Sequence, residues 1–270
     1  MYQVFRRIVT VVALTVFIVS GFKLLGILST YREESKANQQ VADQFVHVVP
    51  LPSQGITEPS QARPGEDVPE ETTEPIDPSR YAPISVDFEA LLEVNPYVVG
   101  WIYCPDTPIN YPIVQTANNT DYLRRGLDGV YRHGGTIFLD YRVDGDFADY
   151  NSIIYGHNLL DSSMFGTLER YKDQSYYESH PTLYLLTPEQ DYRVDLIAGL
   201  SLDARSVLYR TEHTFETYRD FLSSVLTQSN FQSGRTTEGI TRTLTLSTCS
   251  YSYDDARYIV VGTLTPLDRP

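Results

Sequence analysis

Residues 241–265 read TRTLTLSTCSYSYDDARYIVVGTLT. Two β-type runs, 241–247 and 258–265, flank a short polar turn, Ser250 to Asp255, and this pattern predicts an antiparallel hairpin. Such a hairpin leaves Cys249 at the rim of a sheet, just past the alternating run, and the turn returns Arg257 to its neighbourhood. Working outward, six similar runs come earlier, at 98–103, 111–114, 136–139, 152–155, 182–186 and 192–200. Eight short strands separated by Gly, Pro, Asp and Asn turns predict a mainly β domain, either a sandwich or a closed barrel. Three helices are expected around them. Residues 85–94 (SVDFEALLEV) offer Ser85 as N-cap and set Phe88, Leu91 and Leu92 at helical spacing. Residues 164–171 read as a short helix, and 215–231 place Phe215, Tyr218, Leu222, Val225 and Leu226 on one face.

The folded domain begins near residue 85, and what precedes it differs in kind. Residues 8–29, IVTVVALTVFIVSGFKLLGILS, contain one charge, Lys23, and as a helix would span roughly 33 Å, the thickness of a bilayer core. Arg6 and Arg7 precede the stretch and no acidic residue occurs before Glu33, which predicts a single-pass cell-membrane anchor with a cytoplasmic N-terminus and an extracellular remainder. A cleaved signal peptide competes, with residues 8–19 as its apolar region and Val19-Ser20-Gly21 as the cleavage site; the apolar sequence resuming at Leu24 to Leu28 favours the uncleaved anchor. Either way the rest is exported. Residues 31–84 predict an extended acidic stalk, with eight prolines between Pro50 and Pro83 and almost no basic residues to offset Glu58, Glu66, Asp67, Glu70, Glu71, Glu74 and Asp77. The expected division is therefore 1–30 anchor, 31–84 stalk and 85–270 folded domain.

The chain's 270 residues, 41% apolar, suffice for a sizeable core. Its net charge of −14 excludes a nucleic-acid backbone as partner, since too few cations are available to neutralise phosphates. Two cysteines, Cys104 and Cys249, are too few for a disulfide framework or a thiolate zinc site. In an exported protein a free thiol oxidises unless it is buried or in use. A working thiol needs a partner for its proton, and of the five histidines His157, just past the strand end in Ile154-Tyr155-Gly156-His157-Asn158, is best placed. Acyl transfer also requires positive charge or N–H donors where the oxyanion develops, which Arg257 can supply; its competing use is a surface pair with Asp254 or Asp255.

Three of these segments resemble the sortase family, cysteine transpeptidases of Gram-positive cell surfaces: Tyr155-Gly156-His157-Asn158, Thr245-Leu246-Ser247-Thr248-Cys249 and Asp255-Ala256-Arg257-Tyr258-Ile259-Val260-Val261-Gly262. Gly100-Trp101-Ile102, Ile109-Asn110-Tyr111-Pro112-Ile113-Val114-Gln115, Gly135-Thr136-Ile137-Phe138-Leu139-Asp140 and Ser163-Met164-Phe165-Gly166 resemble class B in particular. The resemblance spans about residues 85–265. It implies a closed eight-stranded barrel, with a helix before the first strand and another in the insert before the Cys strand. It implies Cys249, His157 and Arg257 as catalytic residues that cleave a C-terminal sorting signal after Thr through a thioacyl enzyme. The acceptor it implies is an amine of the lipid-linked peptidoglycan precursor. It also implies Ser247, two before the Cys, as substrate-binding, with Asn119 a further candidate, and no metal or organic cofactor.

Cys104 departs from the family pattern, where that position is commonly apolar, and is expected as a packed thiol. Asp144, Asp146 and Asp149 have a spacing that hints at calcium but lack the glycine and glutamate of an EF-hand loop, so a solvated acidic loop is expected. The partners are then surface proteins bearing sorting signals, the precursor amine, and the membrane through residues 8–29. Alternatives are a pilin-polymerising enzyme with a lysine acceptor, an exported cysteine hydrolase, and an inactive stalked binding domain.

Overall fold

A computed structural model of the chain describes residues 2–49, 77–250 and 255–269. Most of the acidic Pro-rich stretch and four residues of the turn after Cys249 thus lie outside the described residues. The elements, in order, are α1 (Tyr2–Phe45), β1 (Val46–Val48), β2 (Ile84–Val86), α2 (Phe88–Val94), β3 (Val98–Tyr103), β4 (Asn110–Val114), β5 (Ile137–Leu139), β6 (Asn151–Tyr155), α3 (Gln174–Ser179), β7 (Thr182–Leu186), β8 (Asp191–Asp203), α4 (Phe215–Gln228), β9 (Thr243–Cys249) and β10 (Ala256–Pro266).

Strands β3 to β10 close into a barrel in the order β10-β8-β7-β3-β4-β5-β6-β9. These are the eight strands the alternation predicted, and closure resolves the sandwich-or-barrel alternative. Ile102, Ile113, Ile154, Leu246 and Val260 point into the barrel and are buried, and full closure leaves no unpaired sheet edge. Outside the barrel, α4 packs Tyr218, Phe221, Leu222 and Val225 against Ile197, Leu200, Ile259 and Val261. It stops at Gln228, short of the predicted residue 231, because Ser229 turns the chain: its hydroxyl accepts from the Gly199 N–H and donates to the Phe231 carbonyl.

Two predicted helices are corrected. Ser85 is not an N-cap: it pairs with His47 in the β1–β2 ladder, and Asp87 caps α2 by accepting from Ala90 N at 3.0 Å. Residues 164–171 do not form one helix. Met164 has a left-handed backbone (φ +54°) and its N–H is taken by the Tyr111 hydroxyl, so the chain resumes with a 3₁₀ turn at Leu168–Lys172 followed by α3.

The N-terminal region also differs from the expected stalk. Helix α1 is long and apolar enough to cross a membrane, and it continues as helix through Phe45. Its last turns bury Ala42 and Phe45 in a cluster with Ile84, Leu91 and Trp101. Residues 31–48 and 84–86 are thus folded against the barrel, because helically spaced apolar side chains there find a surface to cover.

Candidate active site

Strand direction assembles the site. β6 runs parallel to β9, with Tyr155 opposite Ser247, so both strands end at the same rim of the barrel. The pairing continues past Tyr155: Gly156 N donates to Ser247 O at 3.1 Å and Thr248 Oγ1 to Gly156 O at 2.8 Å, which carries His157 up beside Cys249. Gly156 is required for this approach, since a Cβ there would stand 2.5 Å from Ile137 Cδ1 and 2.7 Å from Phe165 Cδ2. β10 is antiparallel to β9, so it begins where β9 ends, and Arg257 pairs directly with Cys249. His157, Cys249, Arg257, Ser247 and Asn119 all line one cleft of about 410 Å³. The five residues chosen from sequence therefore meet in one place.

Within the cleft, Cys249 carries a free, partly exposed thiol. His157 Nε2 lies 2.8 Å from the Leu123 carbonyl. A carbonyl only accepts, so Nε2 carries a proton and Nδ1 is left for proton exchange. Burial pushes the His157 pKa below its usual 6.5; Arg124 acts in the same direction, against the Leu123 hydrogen bond and the charge of Glu34. The imidazole is therefore mainly neutral at pH 7. Among the described residues, the Arg257 guanidinium donates only to the Ala256 carbonyl, at 3.0 Å, and makes no ion pair with Asp255; Asp254, the other candidate for a surface pair, lies outside the described residues.

Ser247 is nearly buried, and its Oγ is 2.8 Å from the Tyr209 hydroxyl. Asn119 Oδ1 accepts from Tyr141 N, which leaves its amide nitrogen for the cleft. Although the chain is strongly acidic, the lining holds Arg142, His157 and Arg257 and no carboxylate among the described residues. Asp140 is fully buried behind the wall, accepts two bonds from the Arg142 guanidinium at 2.9 and 2.7 Å and one from the Arg142 backbone N–H at 3.0 Å, and accepts one from the Tyr155 hydroxyl at 2.8 Å. Those bonds hold its pKa down despite the burial that would raise it.

Sequence reasoning missed several supporting residues. Asn158 Nδ2 donates to the Cys249 carbonyl at 3.0 Å and lies 3.4 Å from Glu169 Oε2, and Glu169 also binds Ser250 and Lys172. Asn158 lay within a quoted motif, Glu169 lay in the segment 164–171 read as a helix, and Tyr209 lies in a segment without a pattern. Cys104 is fully buried in the core, 3.9 Å from the Tyr171 hydroxyl, and burial pushes its thiol pKa up. Asp144 and Asp146 are exposed, and the loop is held by its own backbone, with Asp149 accepting from Asp144 N and Asp146 from Ala148 N. No group of three or more His, Cys, Asp or Glu side chains among the described residues is placed to hold a metal ion.

The Sortase domain family model matches residues 102–265. Sortase B of Listeria monocytogenes is 36% identical over 177 residues, which cover 64% of this chain and 72% of the relative. Sortase B of Staphylococcus aureus is 32% identical over 178 residues, covering 65% and 73%. The solved structure of a Staphylococcus aureus sortase B–substrate complex superposes with a TM-score of 0.63 at 32% identity, over 67% of this chain and 85% of that one.

Proposed function

This chain belongs to the sortase family of cysteine transpeptidases, in its class B, and on that premise we propose that Cys249, His157 and Arg257 are its catalytic residues. Its substrate is a surface protein bearing a C-terminal sorting signal, cleaved after Thr, and its acceptor is an amine of the lipid-linked peptidoglycan precursor. The observation that carries this reading is the convergence of the thiol, the imidazole and the guanidinium on one cleft.

In the first half-reaction the Cys249 thiol passes its proton to His157 Nδ1 as the sulfur attacks the threonine carbonyl carbon, and the C–O double bond opens to an oxyanion. Arg257, which lines the same cleft, stabilises that charge. Collapse of the oxyanion breaks the C–N bond. His157 in its protonated form gives the departing amine a proton from Nδ1, while Nε2–H stays on Leu123 O and keeps the ring oriented. In the second half-reaction the acceptor amine attacks the thioacyl carbon, its proton passes to His157, the C–S bond breaks, and the thiol is regenerated. Ser247 and Asn119 form the wall against which the signal lies. The apolar part of α1 anchors the enzyme, with its N-terminus cytoplasmic and the barrel outside, next to a lipid-linked acceptor.

Incubating the full-length protein with a sorting-signal peptide, with and without an amine acceptor, tests this function. The expected result is a ligated product that depends on acceptor and is lost in Cys249→Ala. Cleavage indifferent to acceptor would indicate a hydrolase, and no turnover a binding domain. A lysine-bearing pilin peptide that outcompetes a precursor amine would indicate pilus assembly.

A further inference from the structure

Glu34 lies on α1 just beyond its membrane-length apolar stretch, yet it is only 8% exposed. One carboxylate oxygen accepts the His133 backbone N–H at 2.6 Å and stands 3.2 Å from His133 Nδ1; the other accepts the Gly134 N–H at 3.0 Å. A buried carboxylate is tolerable only when charge-assisted bonds of this kind hold it. The segment it grips leads to the candidate active site. The Arg124 guanidinium binds the His133 carbonyl, Thr136 N donates to Tyr122 O at 3.1 Å, and the Leu123 carbonyl lies between them in sequence, against His157 Nε2. Gly135 makes the turn possible: its φ is +58°, and a Cβ there would collide with the Tyr122 and Leu123 carbonyls.

We propose that Glu34 is a positioning residue for His157: its carboxylate fixes residues 133–134, these fix residues 122–124, and the Leu123 carbonyl is thereby held against the imidazole. The function of the clamp rests on the reading of His157 as the proton-transfer group. Its consequence is that the helix leading out of the membrane anchor is part of the reactive centre rather than a tether for it.

The groups facing His157 are Leu123 O and Arg124 from the loop, Glu34 and Tyr31 from α1, and Cys249 and Arg257 from the barrel. Removing the Glu34 charge and loosening Leu123 both favour the neutral imidazole.

The test uses the full-length chain in detergent, with Glu34→Gln, Glu34→Ala, Glu34→Asp and, as control, Glu33→Gln, which removes the same charge from the adjacent exposed position. Two quantities are read: kcat and KM for peptide ligation, and the titration of the His157 ring by NMR, which needs no substrate. Glu34→Gln and Glu34→Ala are expected to lower kcat about tenfold with KM little changed, and to move the His157 titration to lower pH. Glu34→Asp should recover part of both, and Glu33→Gln should alter neither. Wild-type kcat and an unmoved titration in Glu34→Gln would overturn the proposal, as would a Glu33→Gln protein that reproduces the shift. If Glu34→Ala does not fold, the near-isosteric Glu34→Gln decides. If the wild-type protein ligates nothing, the proposed function has failed, and the histidine titration alone decides the clamp.

Discussion

Arg257 and Cys249 are direct partners across the β9–β10 ladder, although eight residues separate them in sequence. Their side chains therefore serve one cleft, and the guanidinium reaches it without an acidic partner among the described residues. Replacing Arg257 with Lys keeps the charge and loses the planar fork. Arg257→Lys is expected to cut kcat for ligation by about 10²-fold, the scale of losing one oxyanion donor, with little change in Tm. Near-normal kcat would assign Arg257 a surface role.

Stability should depend on pH with a definite sign. Burial holds both His157 and His213 below their usual 6.5, so the unfolded chain binds more protons than the folded one just below that value. The stability these groups contribute is complete above pH 6.5 and is lost as pH falls through their folded values. Tm should be flat near pH 7 and fall on acidification below 6.5, less steeply in His157→Gln. Asp203, held at about 2 by its bonds from Arg205, does not titrate in this window. A Tm that rises between pH 6.5 and 5 would contradict the assignment.

The two thiols should differ in reactivity. Cys249 is partly exposed at the rim, whereas Cys104 is fully buried with a raised pKa. Iodoacetamide at pH 8 is expected to add one label per folded chain, on Cys249, and a second only after denaturation. Peptide mass mapping checks this; early labelling of Cys104 would show that the core opens readily.

Asp140 holds the cleft wall by binding both Arg142 and Tyr155. Asp140→Asn keeps the shape and removes the charge that satisfies them. With Arg142 half exposed, the loss should be about 2 kcal/mol, below the full cost of breaking a buried pair. Urea denaturation measures it, and an unchanged midpoint would show that the pair is decorative.

Ser247 borders the cleft and its hydroxyl is engaged with Tyr209. Ser247→Ala is expected to raise KM for the signal peptide about fivefold, the value of one hydrogen bond of about 1 kcal/mol, while kcat changes little. A fall in kcat at constant KM would move Ser247 from substrate binding to chemistry.

Much of this was legible along the chain. A strand shows itself through a period of two, so all eight barrel strands were visible, and the 3.6 period revealed α4. Cys249 and His157 stood out because each sits at a strand end, whereas Arg257 was set apart from a surface pair with Asp254 or Asp255 only by the family resemblance. Ser85 misled because a good capping residue was already used in a ladder with His47, and residues 164–171 misled because a tertiary bond from Tyr111 to Met164 overrides local helical spacing. The helical segment 31–45 looked like stalk because Ala42 and Phe45 are too sparse to signal a core until the barrel surface they cover is present.

By itself the sequence determined which segments are strands, which thiol lies at a rim, and that an apolar stretch of membrane length precedes the folded domain. These are local properties, written in periods of a few residues. Only the tertiary structure decided that β6 and β9 run parallel and so bring His157 beside Cys249, that the Leu123 carbonyl selects the protonated ring nitrogen, and that Glu34 grips the loop behind it. Each of those contacts joins residues 34 to 100 positions apart, and no periodicity encodes a meeting that depends on how the whole barrel closes.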